Sequence, residues 1–115
     1  MRVSTIAAAQ AVADIAEAAV HKGLPVPDFL AMMPVVFDGD RLAYTIKILS
    51  DLQPGLTHFA IHPTKDTPET RAITPTWPSR VGDYQVFMSR EIKDHLRHEC
   101  IHLIGYKAFS SQMPD

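Results

Sequence analysis

A single cysteine, Cys100, stands in the whole chain, so no internal disulfide is available and the fold must rest on buried apolar surface. Cys100 itself is expected to act as a small buried apolar side chain. Basic runs are missing too, and the 11 Lys and Arg nearly balance the 13 Asp and Glu for a formal charge of −2. Neither nucleic acid nor an anionic membrane is therefore an expected partner. Long apolar runs are also lacking. The stretches around residues 6–13 and 29–37 are broken by Gln10, Pro34 or charges, well short of the roughly 20 residues that cross a bilayer. The alanine-rich start carries Gln10, Asp14 and Glu17 at helical spacing, which marks a helix and not a secretory leader. A cytoplasmic location is expected. No internal repeat or low-complexity tract is present.

What the chain does have is enough for one domain: 115 residues, 46% of them apolar, match a single core over residues 1–115. Nine prolines punctuate it. Ile6, Ala9, Val12, Ala13, Ala16, Ala19 and Val20 recur with the period of an amphipathic helix over residues 4–22, with Ser4 to cap its start and Gly23 its end. Pro25, Pro27 and Pro34 turn residues 24–37 into extended chain or a short edge strand. Asp38 or Asp40 then opens a second helix, with a buried stripe of Leu42, Ile46, Leu49 and Leu52, stopped by Pro54-Gly55.

Residues 56–62 form the best strand of the sequence, bounded by Pro54-Gly55 and Pro63. Thr57, Phe59 and Ile61 lie on one face of it, and Leu56, His58, Ala60 and His62 on the other. Thr67 with Pro68 caps a short helix through Ile73. Val81, Tyr84 and Met88 space as one face of another helix, and Ser89 caps a further one with Ile92 and Leu96 inward. Residues 101–106 alternate as a second strand. Alternating helix and strand predict an α/β fold with a small, mostly parallel sheet and flanking helices.

His98-Glu99-Cys100-Ile101-His102 matches the His-Glu-x-x-His string of zinc peptidases, which needs one helix through both histidines. Here residues 101–106 carry the β-branched and aromatic content of a strand, so the rings are expected to diverge. Downstream only Asp115 is left as a third ligand. The zinc assignment is rejected, leaving His95 and His98 as solvated helix residues and His102 as a strand residue.

His62 is different, because it ends a strand, and ligands bind outside the carboxyl ends of strands in parallel sheets and barrels. Pro63 turns the chain out of the sheet, and the loop Thr64-Lys65-Asp66-Thr67-Pro68-Glu69 brings an ammonium, carboxylates and hydroxyls to the same rim. His58 shares the face of His62, but a strand separates the two by roughly 13 Å, too far for ligands that each sit ~2 Å from one ion. His58 is read as structural or partner-facing.

Pro54-Gly55-Leu56-Thr57-His58-Phe59-Ala60-Ile61-His62-Pro63 resembles the Pro-Gly-x-Thr-x-x-x-x-His-Pro segment of the YdjC-like carbohydrate deacetylases. Asp66-Thr67-Pro68-Glu69, Arg71-Ala72-Ile73, Arg80-Val81-Gly82-Asp83-Tyr84 and Ile101-His102-Leu103-Ile104-Gly105-Tyr106 follow in the family's order, so the resemblance is specific over residues 54–106. It implies a partial (β/α)-barrel-like unit and hydrolysis of the N-acetyl group of amino sugars. It also implies a divalent metal, magnesium or zinc, that polarises the amide carbonyl and activates water. His62 carries over as a catalytic candidate and Asp66 as a weaker one.

The family takes its metal ligands from an early paired-acid strand and from two histidines on later strands, all ahead of the matching region. None of those motifs is in this sequence. No metal ligand is assigned, and the chain alone is expected to bind no metal.

Two functions follow. One is the C-terminal part of a deacetylase, inactive alone and completed by a missing N-terminal half, with an amino-sugar oligosaccharide as substrate. The other is a non-catalytic, self-associating module for sugar binding or protein interaction. A partial barrel leaves strand edges and apolar faces uncovered, so a homodimer is expected wherever the missing half does not cover them.

Overall fold

Prolines and glycines lie between many of the elements. In the computed structural model, which describes residues 6–111, the order is α1 (Ile6–His21), β1 (Phe29–Met32), α2 (Arg41–Ser50), β2 (Thr57–Ala60), α3 (Pro68–Ile73), α4 (Trp77–Phe87), α5 (Arg90–His98) and α6 (Lys107–Ser110). The chain falls into two compact units, one of Met1–Pro27 with Leu103–Asp115 and the other of Asp28–His102. No helix among the described residues is long and apolar enough to cross a membrane.

In the first unit, α1 occupies the span that its apolar period predicts. The Ser4 cap lies outside the described residues. At the other end Gly23 takes φ +74°, its N–H donates to the Val20 carbonyl at 2.9 Å, and the Leu24 N–H donates to Ala19 at 3.0 Å. This is the Schellman closure, which needs a left-handed residue at the Gly23 position. Val12, Ile15 and Val20 on α1 are exposed.

In the second unit, β1 and β2 pair in parallel with Phe29 opposite Thr57 and Met32 opposite Ala60, and α2 makes the crossover between them. A latch sets the register at the start of the sheet. The Asp28 N–H donates to the Leu56 carbonyl at 2.8 Å, and the Asp28 carboxylate accepts the Leu56 N–H at 2.8 Å. Gly55, with φ +135°, makes room for it, since a Cβ there would stand 2.9 Å from Asp28 Oδ2. At the other end the Met33 N–H reaches the Ala60 carbonyl at 2.9 Å. The core is assembled from Met33 after β1, Leu49 of α2, Val81 of α4 and Ile92 of α5, all buried. The Phe59 and Phe87 rings meet at 5.7 Å, which joins β2 to α4.

Local capping chemistry decides the helix starts. Asp40, Thr67 and Ser89 each accept the backbone N–H three residues ahead, and Pro68 opens α3. These are favoured cap residues because the first helical N–H groups have no partner inside the helix.

Four expectations are corrected. The buried positions of α2 are Thr45 and Leu49, while Leu42, Ile46 and Leu52 are half-buried. Thr45 fits because its hydroxyl donates to the Arg41 carbonyl at 2.8 Å. Met88, placed on the inner face of α4, is exposed.

Residues 101–106 form no strand. The Ile101 N–H donates to the Leu96 carbonyl at 2.8 Å and the Cys100 N–H to Arg97 at 3.1 Å, so both amides close α5 and neither is left for a sheet. Cys100 is not a buried filler but the left-handed residue of that closure, with φ +54° and an exposed side chain.

The sheet is parallel, as expected, but two-stranded among the described residues. The architecture is therefore mixed α/β with a small parallel sheet and flanking helices. Two strands do not close a barrel.

Candidate functional site

The strand expected over residues 56–62 is shorter, Thr57–Ala60, so His62 lies two residues past its last paired residue, at the carboxyl edge of the sheet. Its backbone N–H, which no strand partner takes, donates to Asp83 Oδ2 at 2.9 Å. Asp83 comes from α4 and is only 2% exposed. Its other oxygen, Oδ1, accepts Arg41 Nη1 at 2.5 Å, with the Arg41 side chain 10% exposed. Arg41 is the first residue of α2, and both its terminal nitrogens stand 3.4 Å from the Pro34 carbonyl, in the segment that leaves β1. A buried charge pair is tolerable only when each partner satisfies the other and its spare donors find acceptors.

Gly82 lets this cluster form. A Cβ on Gly82 would come within 3.0 Å of Arg41 Cδ and Nε, so the guanidinium stem crosses α4 where the helix has no side chain. The cluster thus binds together the ends of both strands, the start of α2 and the middle of α4.

The His62 imidazole keeps one polar atom unmatched. Nδ1 is buried and has no hydrogen-bond partner among the described residues. The loop that follows is anchored to α3 and α4. The Thr64 N–H reaches the Arg80 carbonyl at 3.2 Å, and the hydroxyls of Thr64 and Thr67 each lie 3.2 Å from that of Thr70.

Asp66 is held differently. Its carboxylate takes both Nε and Nη2 of Arg71, at 2.7 and 2.8 Å, and the Arg71 guanidinium covers the Trp77 ring at 4.3 Å. The hydrogen bond from Arg71 holds the Asp66 carboxyl below its ordinary value, and the reciprocal bond raises Arg71. Asp66 is thus ionised and committed to an exposed pair beside a shallow depression lined by Asp66, Thr67, Pro68 and Arg71. It shares the loop with His62 and bonds to a different partner.

The histidine string at residues 98–102 does not share a helix. α5 ends at His98 and Cys100 turns left-handed. His98 lies 3.5 Å from Glu99, and His95 bonds Ser50 across α5 and α2 at 3.0 Å. No group of three His, Cys, Asp or Glu among the described residues is arranged to hold a metal. The donors present do not fit the divalent ion that the resemblance implies, so no chemical step is assigned to one.

Sequence reasoning singled out His62 but not Asp83, which accepts its amide, or Arg41, which holds Asp83. The one signal in the sequence was that Asp83 precedes the apolar Phe87 by one helical turn and so shares its side of α4; that this side faces inward is shown by the contact of Phe87 with Phe59. The partner of Asp83 lies 42 residues away, and no local pattern announces it. Comparison with family models, curated proteins and solved structures finds no match for the chain.

Proposed function

We propose that this chain supplies the C-terminal part of a metal-dependent deacetylase of N-acetyl amino sugars, with His62 as its catalytic side chain and Asp66 at the rim. The observation that carries this reading is His62 Nδ1, buried without a hydrogen-bond partner among the described residues at the carboxyl edge of a parallel sheet. Such an atom costs about 1–3 kcal/mol while its hydrogen bond is unmade, and the carboxyl edge is where α/β folds place ligands. An imidazole in that position serves as a proton donor or acceptor to a bound substrate. The metal ligands of such an enzyme come from outside the described residues, whose donors do not group around an ion.

The test is acetate release from a chitobiose-type substrate with magnesium or zinc added. The chain alone is expected to release none, and a mixture with an upstream fragment bearing the paired-acid strand is expected to release acetate, an activity lost with His62→Ala. No release from any mixture sinks the proposal.

A second reading is a self-associating, non-catalytic module in which a homodimer replaces the missing half. It is favoured by the exposed apolar side chains of β1, Leu30 at 62% and Met32 at 60%, on a strand that pairs on one side only among the described residues. Light scattering at micromolar concentration separates the two: a stable dimer without deacetylase activity supports the module, and a monomer removes it.

A further inference from the structure

His62 is constrained from both sides of its α-carbon. Pro63 restricts the residue before it to extended backbone, and the His62 N–H is tied to Asp83 Oδ2 at 2.9 Å. The paired part of β2 stops at Ala60, so the sheet does not hold this amide. Asp83 is itself fixed, buried on α4 with its second oxygen on Arg41. Arg41 is seated against the Pro34 carbonyl and over Gly82. Beyond this fixed backbone stands a ring whose buried Nδ1 has no hydrogen-bond partner among the described residues.

We propose that Asp83 is a positioning residue for His62, acting through the His62 backbone N–H, with Arg41 holding the carboxylate in place. The consequence for turnover rests on the deacetylase reading; the positioning itself does not, and it can be measured in the chain alone.

Asp83→Asn separates this role from that of a simple tie between α2 and α4. A carboxylate offers an acceptor to both partners, whereas a carboxamide has one oxygen and one NH2 donor. The charged guanidinium makes the stronger bond and takes the oxygen. His62 N–H then faces a donor and loses its acceptor, while α2 and α4 stay joined.

The experiment is NMR on the full chain. In the wild type the His62 amide is expected to exchange as slowly as the paired amides of β2. In Asp83→Asn it is expected to exchange about tenfold faster or more, with shifts of the His62 ring nitrogens and none at His95, which is held by Ser50. A variant that melts lower while the His62 amide and ring signals stay at wild-type values overturns the proposal. A wild-type His62 amide that exchanges as fast as an exposed loop amide also overturns it, and that measurement decides the matter if Asp83→Asn does not fold. In any active reconstituted enzyme, Asp83→Asn lowers kcat at retained KM and adds nothing to His62→Ala. An NMR effect without activity in any mixture leaves the positioning standing and removes the deacetylase reading.

Discussion

Arg41 and Asp83 stand 42 residues apart in the chain and meet at 2.5 Å, with both side chains withdrawn from solvent. Removing one member leaves the other charged and buried, which costs about 3–5 kcal/mol. Arg41→Met is therefore expected to be severely destabilising in urea denaturation. Arg41→Met combined with Asp83→Leu is expected to lose clearly less than the sum of the two single changes, because no uncompensated charge remains.

Gly82 yields a prediction against ordinary helix propensity. In a helix interior Gly→Ala gains about 1 kcal/mol. At Gly82 the new Cβ meets Arg41 at 3.0 Å, and Arg41 cannot retreat without leaving Asp83. Gly82→Ala is expected to lower the Tm, and the same change is expected to cost less in an Arg41→Ala background, where no side-chain stem lies against the new Cβ.

Cys100 offers the reverse. It adopts φ +54° at the end of α5, where glycine is preferred because it has no Cβ to clash. Cys100→Gly is expected to stabilise the protein by about 1 kcal/mol, read as a raised Tm in reducing buffer.

Asp66 gives a pH signature. Its folded-state value is depressed below the ordinary 3.8 by the hydrogen bond from Arg71. The pair then contributes stability that is fully present above the unfolded value and is lost as pH falls through the folded one. Both side chains are largely exposed, so the contribution is small. Wild type is expected to exceed Asp66→Asn in stability at pH 6, and the gap to close below pH 3.8. A gap that persists unchanged in acid removes the pair from the account.

The parts of the fold that could be read from sequence are those whose chemistry is local. The caps at Asp40, Thr67 and Ser89 each reach only three residues ahead, and Pro54-Gly55 and Pro63 bound β2 from outside. Residues 101–106 failed because a strand is not a local object. Alternating apolar side chains say nothing about whether a neighbouring strand is there to receive the backbone, and here the first amide of the segment was already spent on Leu96. Cys100 was misread for the same reason, since its left-handed backbone belongs to the closure of α5. His62 stands out in the sequence by its place before Pro63 at the end of an apolar run, while Arg41 and Asp83 become visible only once α2 and α4 are side by side.

The latch between Asp28 and Leu56 has a reach beyond the end of the sheet it fastens. Side chains alternate along a strand, so a slip of one residue would present Ile61 where His62 now stands. With so few paired residues, β1 and β2 depend on contacts at their ends to oppose such a slip, this latch at the start and the Met33 bond to Ala60 with the Asp83 bond to His62 at the finish. Asp28 works as an indexing pin: by fixing where the strands begin, it decides which side chain emerges at the far edge.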